Sequence, residues 1–88
     1  MHKCTIDGAA MLSRESAHAE LKRALELPEY YGANLDALWD CASTCDAELT
    51  LIHPASMLNA LKVYGCKLIQ TLCEAADNNP KFSFTVEE

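Results

Sequence analysis

Three short segments in which apolar and polar residues alternate constrain this chain more than any other feature of its sequence. They cover residues 3–7, 49–53 and 81–86, and apolar residues recur between them at the three- and four-residue spacing of helices. Strands separated by helices require crossover connections, and right-handed crossovers bring neighbouring strands side by side in parallel. The sequence therefore predicts an α/β fold, in which a small three-stranded parallel sheet has helices packed against it.

Residues that favour turns and caps set the expected limits of these elements. The first strand ends at Asp7-Gly8 and the second before Pro54, although the short second segment is also compatible with a buried helical turn. Ser13 and Asn34 suit N-cap positions, and Gly65 is expected to interrupt the helical pattern of the second half. Helices are accordingly expected over residues 13–27, 34–45, 55–62 and 68–76.

The length and charge of the chain narrow the classes of function. With 88 residues it has room for one core, so we expect a single domain over residues 1–88. Acidic residues number 13 against 7 basic ones, and the formal net charge of −6 disfavours nucleic acid and anionic membranes as partners. A basic protein partner fits this charge better, although acidity that serves solubility alone would look the same.

The five cysteines are an odd number in a sequence without the basic and apolar regions of a signal peptide. No apolar run is long enough to cross a bilayer, so we expect a cytoplasmic protein whose thiols stay reduced. Cys41 and Cys45 lie four residues apart and three histidines are present, yet no Cys-x-x-Cys or His-x-x-x-His pair occurs. We therefore expect no metal and no other cofactor, and no catalytic residues, because the sequence has no nucleophile motif.

The segment expected to form the second helix breaks a rule of helix stability. Asp36 and Asp40 are four residues apart on one face, where two like charges cost roughly 0.2–0.5 kcal/mol. Solvent screening would make such a pair unimportant in an arbitrary helix. Here Tyr30, Tyr31 and Trp39 lie in the same short region, and aromatic rings beside carboxylates are typical of protein interfaces. Trp39 suits either the core or an interface, whereas Tyr30 is the better interface candidate.

The contiguous segment from residue 27 to residue 41, LPEYYGANLDALWDC, resembles the signature segment of the barstar family of ribonuclease inhibitors. Outside it the similarity is one of pattern, with a first strand ending in Asp-Gly, a later helix containing Glu74-Ala75 and a closing strand of alternating residues. The resemblance implies an intracellular inhibitor of an extracellular guanyl-specific ribonuclease of the barnase type. It also implies that the second helix and the loop before it plug the enzyme's active site in a 1:1 complex, and that the unbound inhibitor is a monomer.

The resemblance gives individual residues their expected roles. The carboxylate of Asp40 would occupy the place of a substrate phosphate, and Asp36 would pair with a basic residue beside the catalytic site. Tyr30 would pack on the catalytic histidine, and Glu74 would add a second acidic point. The full set of expected partner-binding residues is Tyr30, Tyr31, Gly32, Asn34, Leu35, Asp36, Ala37, Trp39, Asp40, Ser43 and Glu74.

The sequence departs from the family pattern directly after the acidic helix. The family prototype has a Gly-Trp pair there, whereas this chain continues CASTCDAE over residues 41–48, without an aromatic residue. The expected target is therefore either a barnase-type ribonuclease or a more distantly related toxin domain. The competing hypothesis is an acidic adaptor that binds a different basic protein with the same helix.

Overall fold

The computed structural model describes residues 2–87 and confirms the predicted α/β fold with a three-stranded parallel sheet. The strands are β1 (His2–Asp7), β2 (Ala47–Ile52) and β3 (Phe82–Glu87), hydrogen-bonded in that order. The helices are α1 (Arg14–Leu25), α2 (Leu35–Ala42), α3 (Pro54–Leu61) and α4 (Val63–Asn78), and a 3₁₀ turn (Gly8–Ala10) follows β1. Residues 1 and 88 of the expected domain lie outside the described residues.

One face of the sheet forms the hydrophobic core together with the helices. Leu49 and Leu51 of β2 point to this face and are almost entirely buried, as the two-residue alternation of a strand requires. Each helix contributes fully buried side chains, and burying one Leu or Met stabilises the fold by about 1.5–3 kcal/mol. These side chains include Leu21 of α1, Leu38 of α2, Met57 of α3, and Leu68 and Leu72 of α4.

The other face of the sheet is polar, and no helix of the described chain covers it. Thr5, Thr50 and Thr85 stand in register across the three strands. One pair further along, the Lys3 ammonium lies 4.0 Å from the Glu48 carboxylate. A shallow concavity of about 340 Å³ follows this face, consistent with the twist of the sheet. The helices of residues 2–87 therefore share the opposite side.

Several element boundaries differ from those expected from the sequence, among them those of α2 and β2. α2 ends at Ala42 and not at residue 45, because the next two residues form a turn. β2 begins two residues earlier than expected, at Ala47, and stops before His53. His53 has a φ of 50° and places Pro54 in the first turn of α3, where the missing N–H of proline costs no hydrogen bond.

The expectation that Gly65 interrupts a helix is wrong. α4 begins at Val63, and the chain turns instead at Lys62, where φ is 57° and ψ is −126°. Gly65 is buried within the first turn of α4, and a β-carbon there would lie 3.3 Å from Cδ2 of Leu58. Glycine therefore lets α3 approach α4 closely, and this packing roughly offsets its helix penalty of about 1 kcal/mol.

Candidate functional site

The connection between α1 and α2 starts with a capped helix end. α1 ends at Leu25, two residues earlier than expected, because Glu26 adopts the left-handed conformation with a φ of 52°. The N–H of Leu27 then donates to the carbonyl of Lys22 at 3.0 Å, which satisfies one of the last carbonyls of the helix. Residues 27–33 follow, and we call them the aromatic loop.

The aromatic loop is folded back on itself. The Tyr31 N–H donates to the carbonyl of Pro28 at 3.0 Å, and the side-chain amide of Asn34 donates to the carbonyl of Gly32 at 3.3 Å. Ala33 has a φ of 53°, in the left-handed region, which costs a non-glycine residue about 1–2 kcal/mol. Such a conformation persists only where the surrounding structure fixes it, so the loop is held in one shape.

Asn34 starts α2, as predicted. Its side-chain oxygen accepts the N–H of Ala37 at 2.8 Å, while its own backbone is extended, with a φ of −140°. Asp36 lies in the first turn, where the helix dipole favours a negative charge. The sequence therefore fixes where α2 begins, and with it the direction in which the carboxylates of this helix point.

A depression of about 310 Å³ lies between the aromatic loop and α2. It is lined by Tyr30, Tyr31, Gly32, Ala37, Asp40 and Cys41. Five of these six residues belong to the expected partner-binding set, and the structure brings them together. Tyr30 is 88% exposed at the rim, and Asp40 is the only acidic or basic residue of the lining. The depression therefore combines aromatic and small apolar surface with one carboxylate.

The carboxylates of Asp36 and Asp40 are exposed and four residues apart on α2, and we call the surface that they form the acidic face. Within residues 2–87 neither side chain has an ion-pair or hydrogen-bond partner. The acidic residues that are paired lie elsewhere, such as Glu20 with Arg23 at 3.0 Å. The acidic face therefore contributes repulsion to the free chain and no compensating internal contact.

Cys41 lines the depression but was not among the residues expected from the sequence. Burial raises the pKa of its thiol, and the neighbouring carboxylate of Asp40 adds to this. The thiol therefore stays protonated at neutral pH and acts as a small apolar group. Its spacing of four residues from Ala37 was the available signal, because i and i+4 share one helix face.

Other residues of the expected set do not line the depression. Leu35 and Trp39 are half-buried and pack against the core, so each ring or chain has both a core side and an accessible side. Glu74 is exposed on α4, where its carboxylate accepts a hydrogen bond from Gln70 at 3.1 Å. The Ser43 hydroxyl is buried without a partner in the described chain, so it does not face solvent in this conformation.

The C-terminal end of α2 is held by a residue far away in the sequence. Asn79, which is 8% exposed, donates from its side-chain amide to the carbonyls of Ala42 at 3.1 Å and Cys45 at 2.8 Å. Its side-chain oxygen accepts the N–H of Lys81 at 3.0 Å. Helix ends leave carbonyls without intrahelical partners, and Asn79 supplies donors for this one. The same contact ties α2 to the segment that leads into β3.

The arrangement of donor residues gives no metal centre within the described chain. No group of three His, Cys, Asp or Glu side chains in that part is placed to hold an ion. The five cysteines are free thiols, and burial raises the pKa of Cys45 to about 11, so this thiol is protonated.

None of the helices between residues 2 and 87 is both long and apolar enough to span a membrane.

A parallel sheet with its helices on one side, and an acidic helix directly after an aromatic loop, define a small α/β domain with an unpaired acidic face. Comparison with known families then places the sequence. The family model described as Barstar (barnase inhibitor) matches residues 1–87, and the chain belongs to the barstar family. The family that the segment from residue 27 to residue 41 predicted is thereby confirmed, and the match extends over nearly the whole chain.

One curated relative adds a second comparison. The protein named "Putative ribonuclease inhibitor YrdF" from Bacillus subtilis (strain 168) is 49% identical to this chain over 53 residues. The aligned region covers 59% of this chain and 58% of the relative, so the chain spans less than two thirds of the length of that relative. The name of that relative refers to ribonuclease inhibition, and the description of the family refers to barnase inhibition.

Proposed function

We propose that this protein inhibits a small ribonuclease by placing the acidic face and the aromatic loop in the active site of the enzyme. The domain of residues 1–88 acts as a monomer when free and forms a 1:1 complex. It works in the cytoplasm, where it protects the cell that makes the ribonuclease. Membership of the barstar family and the name of the relative support the class of partner.

One observation carries the proposal, namely that Asp36 and Asp40 are exposed, adjacent on one face and unpaired within residues 2–87. Such a carboxylate, beside an apolar depression, forms no stabilising ion pair inside the described chain. It is stabilised most when a cationic group of a partner approaches and the surrounding rings exclude water. Tyr30, at the rim of the depression, supplies such a ring.

The chemistry of a ribonuclease active site matches this surface. Such a site gathers cationic groups around the position of a substrate phosphate, and a carboxylate satisfies them without offering a bond to cleave. The net charge of −6 speeds the approach to a basic enzyme, whereas desolvated ion pairs slow dissociation. Inhibition therefore requires no chemistry from the inhibitor itself.

The remaining residues of the expected set complete the proposed contact around Asp40. Tyr30 stacks on a catalytic side chain, and Asp36 and Glu74 pair with basic groups at the edge of the enzyme's cleft. The others contribute shape at the periphery of the contact, and they are Tyr31, Gly32, Asn34, Leu35, Ala37, Trp39 and Ser43. The loop between α2 and β2 determines whether the target is barnase-type or a distant toxin domain, since residues 41–48 contain no aromatic residue.

The test is an RNA-cleavage assay in which the protein is titrated against barnase-type and toxin-type ribonucleases. Asp40→Asn removes one charge at nearly constant size, and Glu48→Gln removes one charge on the uncovered sheet face, which makes it a matched control. We expect inhibition at a stoichiometric ratio by the wild type and by Glu48→Gln. For Asp40→Asn the inhibition constant should rise about 30-fold or more, because truncating one partner of a desolvated ion pair costs about 2 kcal/mol or more.

Two outcomes would count against the proposal. Equal losses from Asp40→Asn and Glu48→Gln would show that net charge governs the effect and that the acidic face does not enter the active site. Failure to inhibit any ribonuclease of the panel, together with tight binding of an unrelated basic protein, would favour the adaptor hypothesis. Co-expression with the inhibited ribonuclease then tests whether the protein protects the cell. Asp40→Asn should abolish this protection, and Glu48→Gln should retain it.

A further inference from the structure

A partly buried chain of hydrogen bonds connects the aromatic loop to two helices. The hydroxyl of Tyr31 lies 2.6 Å from Nδ1 of His18 on α1, and the hydroxyl of Tyr64 on α4 lies 2.7 Å from Nε2 of the same imidazole. Arg14, one turn before His18, lies over the Tyr64 ring at 4.2 Å from its centre. The aromatic loop, α1 and α4 are therefore joined at one side chain.

The imidazole of His18 is fixed by using both of its nitrogens. A neutral imidazole has one N–H and one lone pair, so one nitrogen donates to a tyrosine and the other accepts from the second tyrosine. His18 is 2% exposed, and burial lowers its pKa, which keeps the ring neutral. Neither Tyr31 nor Tyr64 can rotate its hydroxyl away without leaving a buried nitrogen unsatisfied.

The aromatic loop needs such an anchor. Tyr30 is 88% exposed and has no core contact to hold it, and Ala33 is in a strained left-handed conformation. A second contact from the loop to α1 joins Glu29 to Lys22 at 3.3 Å, but the Glu29 side chain is 98% exposed and such pairs contribute little. The hydrogen bond from the half-buried Tyr31 to buried His18 is therefore the firm side-chain link between the loop and the body of the protein.

We propose that His18 and Tyr64 are positioning residues that act through Tyr31 to hold the aromatic loop in its binding shape, and so set how long the partner stays bound. Neither residue lines the depression, and His18 is buried, so neither needs to touch the partner. The inference rests on the proposed ribonuclease-inhibitor function, because one of its two tests measures dissociation from the inhibited ribonuclease. Its physical basis is that a loop already ordered in the free protein loses less entropy on binding.

The experiment removes single hydroxyl groups and leaves the rings in place. Tyr64→Phe breaks the chain at α4, and Tyr31→Phe breaks it at the loop while keeping the ring that faces the depression. Met57→Leu, at a core position of α3, is the control for a general loss of stability. Two quantities are measured, the dissociation rate from the inhibited ribonuclease and the hydrogen exchange of backbone amides 30–33 in the free chain.

We expect Tyr31→Phe to raise the dissociation rate about fivefold, the equivalent of one typical hydrogen bond, and Tyr64→Phe to raise it about two- to fivefold. Exchange of amides 30–33 should become faster in both variants, but not in Met57→Leu. The double variant should dissociate no faster than Tyr31→Phe alone, because both substitutions break one chain of contacts. Additive effects, unchanged exchange, or an equal effect of Met57→Leu would overturn the positioning role.

The two proposals fail in different ways. If the wild type inhibits no ribonuclease of the panel, the proposed function fails, and amide exchange in the free chain alone decides whether His18 anchors the loop. Faster exchange at residues 30–33 in Tyr64→Phe then supports the anchor, and unchanged exchange rejects it. If the wild type inhibits and the variants match it in both measurements, the function stands and the positioning role is rejected.

Discussion

The side chain of Asn79 determines how firmly the end of α2 is held, and its removal gives a quantitative test. Asn79→Ala deletes two hydrogen bonds donated to the carbonyls of Ala42 and Cys45 and one accepted from the N–H of Lys81. At about 0.5–1.5 kcal/mol each, the three bonds together are worth roughly 3 kcal/mol. This is a large part of the 5–15 kcal/mol or so by which a domain is stable.

The assay is equilibrium unfolding in urea followed by circular dichroism. For a chain of this size the free energy of unfolding falls by about 1–1.5 kcal/mol per molar urea, so we expect the midpoint of Asn79→Ala to drop by roughly 2–3 M. Asn78→Ala is the matched control, because the Asn78 amide donates one exposed bond to the Glu74 carbonyl at 2.9 Å. It should cost no more than about 1 kcal/mol.

Asn79→Asp separates the loss of donors from the loss of size. It keeps an acceptor for the N–H of Lys81 but presents a second carboxylate oxygen to the carbonyls of Ala42 and Cys45. We expect this variant to be at least as unstable as Asn79→Ala at pH 7. The folded state would raise the pKa of the new carboxyl, so stability relative to the wild type should increase as the pH falls through that pKa and the group becomes a donor.

The reasoning is refuted if Asn79→Ala stays within about 0.5 kcal/mol of the wild type, the range of ordinary surface substitutions. It is equally refuted if Asn78→Ala is as damaging, since the effect would then belong to the helix end of α4. If the stability deficit of Asn79→Asp relative to the wild type grew steadily on acidification, the assigned direction of the donors would be contradicted. In each case the end of α2 would have to be fixed by other contacts.

Three further predictions use urea or thermal unfolding. Ser43→Ala should be neutral or stabilise the protein by up to about 1 kcal/mol, because it removes a buried hydroxyl without a partner; a loss above about 1 kcal/mol would contradict this. Gly8→Ala should destabilise by roughly 1–3 kcal/mol, since its β-carbon would clash with the backbone carbonyl oxygen of His53, whereas Gly65→Ala should be nearly neutral. Stability should fall as the pH drops below about 6.5, because His18 binds a proton in the unfolded chain more readily than in the folded one, where burial lowers its pKa. A His18→Gln variant with the same pH dependence would refute this.

The fold was predictable because its signals are local. Alternation over six residues, as in β3, distinguishes a strand from a helix within one short window, and the caps at Ser13 and Asn34 act on backbone groups only three residues away. The order of strands and helices then leaves few topologies, since crossovers are right-handed. The candidate site was partly predictable for a different reason, because the distinctive segment is contiguous along the loop and α2.

The features that the sequence did not predict depend on distant partners. Gly65 looks like a helix breaker until Leu58 of the preceding helix is placed against it. The contacts of His18 with Tyr31 and Tyr64 span 13 and 46 residues, and nothing local singles out this histidine from the other two. The early end of α2 is likewise coupled to Asn79, 37 residues after Ala42. Propensity cannot report such pairings, because each becomes defined only when the core has formed.

The parallel register also determines when, during synthesis, the surface formed by the aromatic loop and α2 is complete. Residue 2 pairs with residue 47, and residue 47 pairs with residue 82, so every strand must wait for a whole helical crossover before it finds its neighbour. Pairing across such long loops is slow, because the loop must close before the contacts are gained. α2 is made early in translation, but the sheet beneath it closes only when β3 emerges. A cell protected in the proposed way therefore needs finished inhibitor in reserve before the first ribonuclease molecules fold.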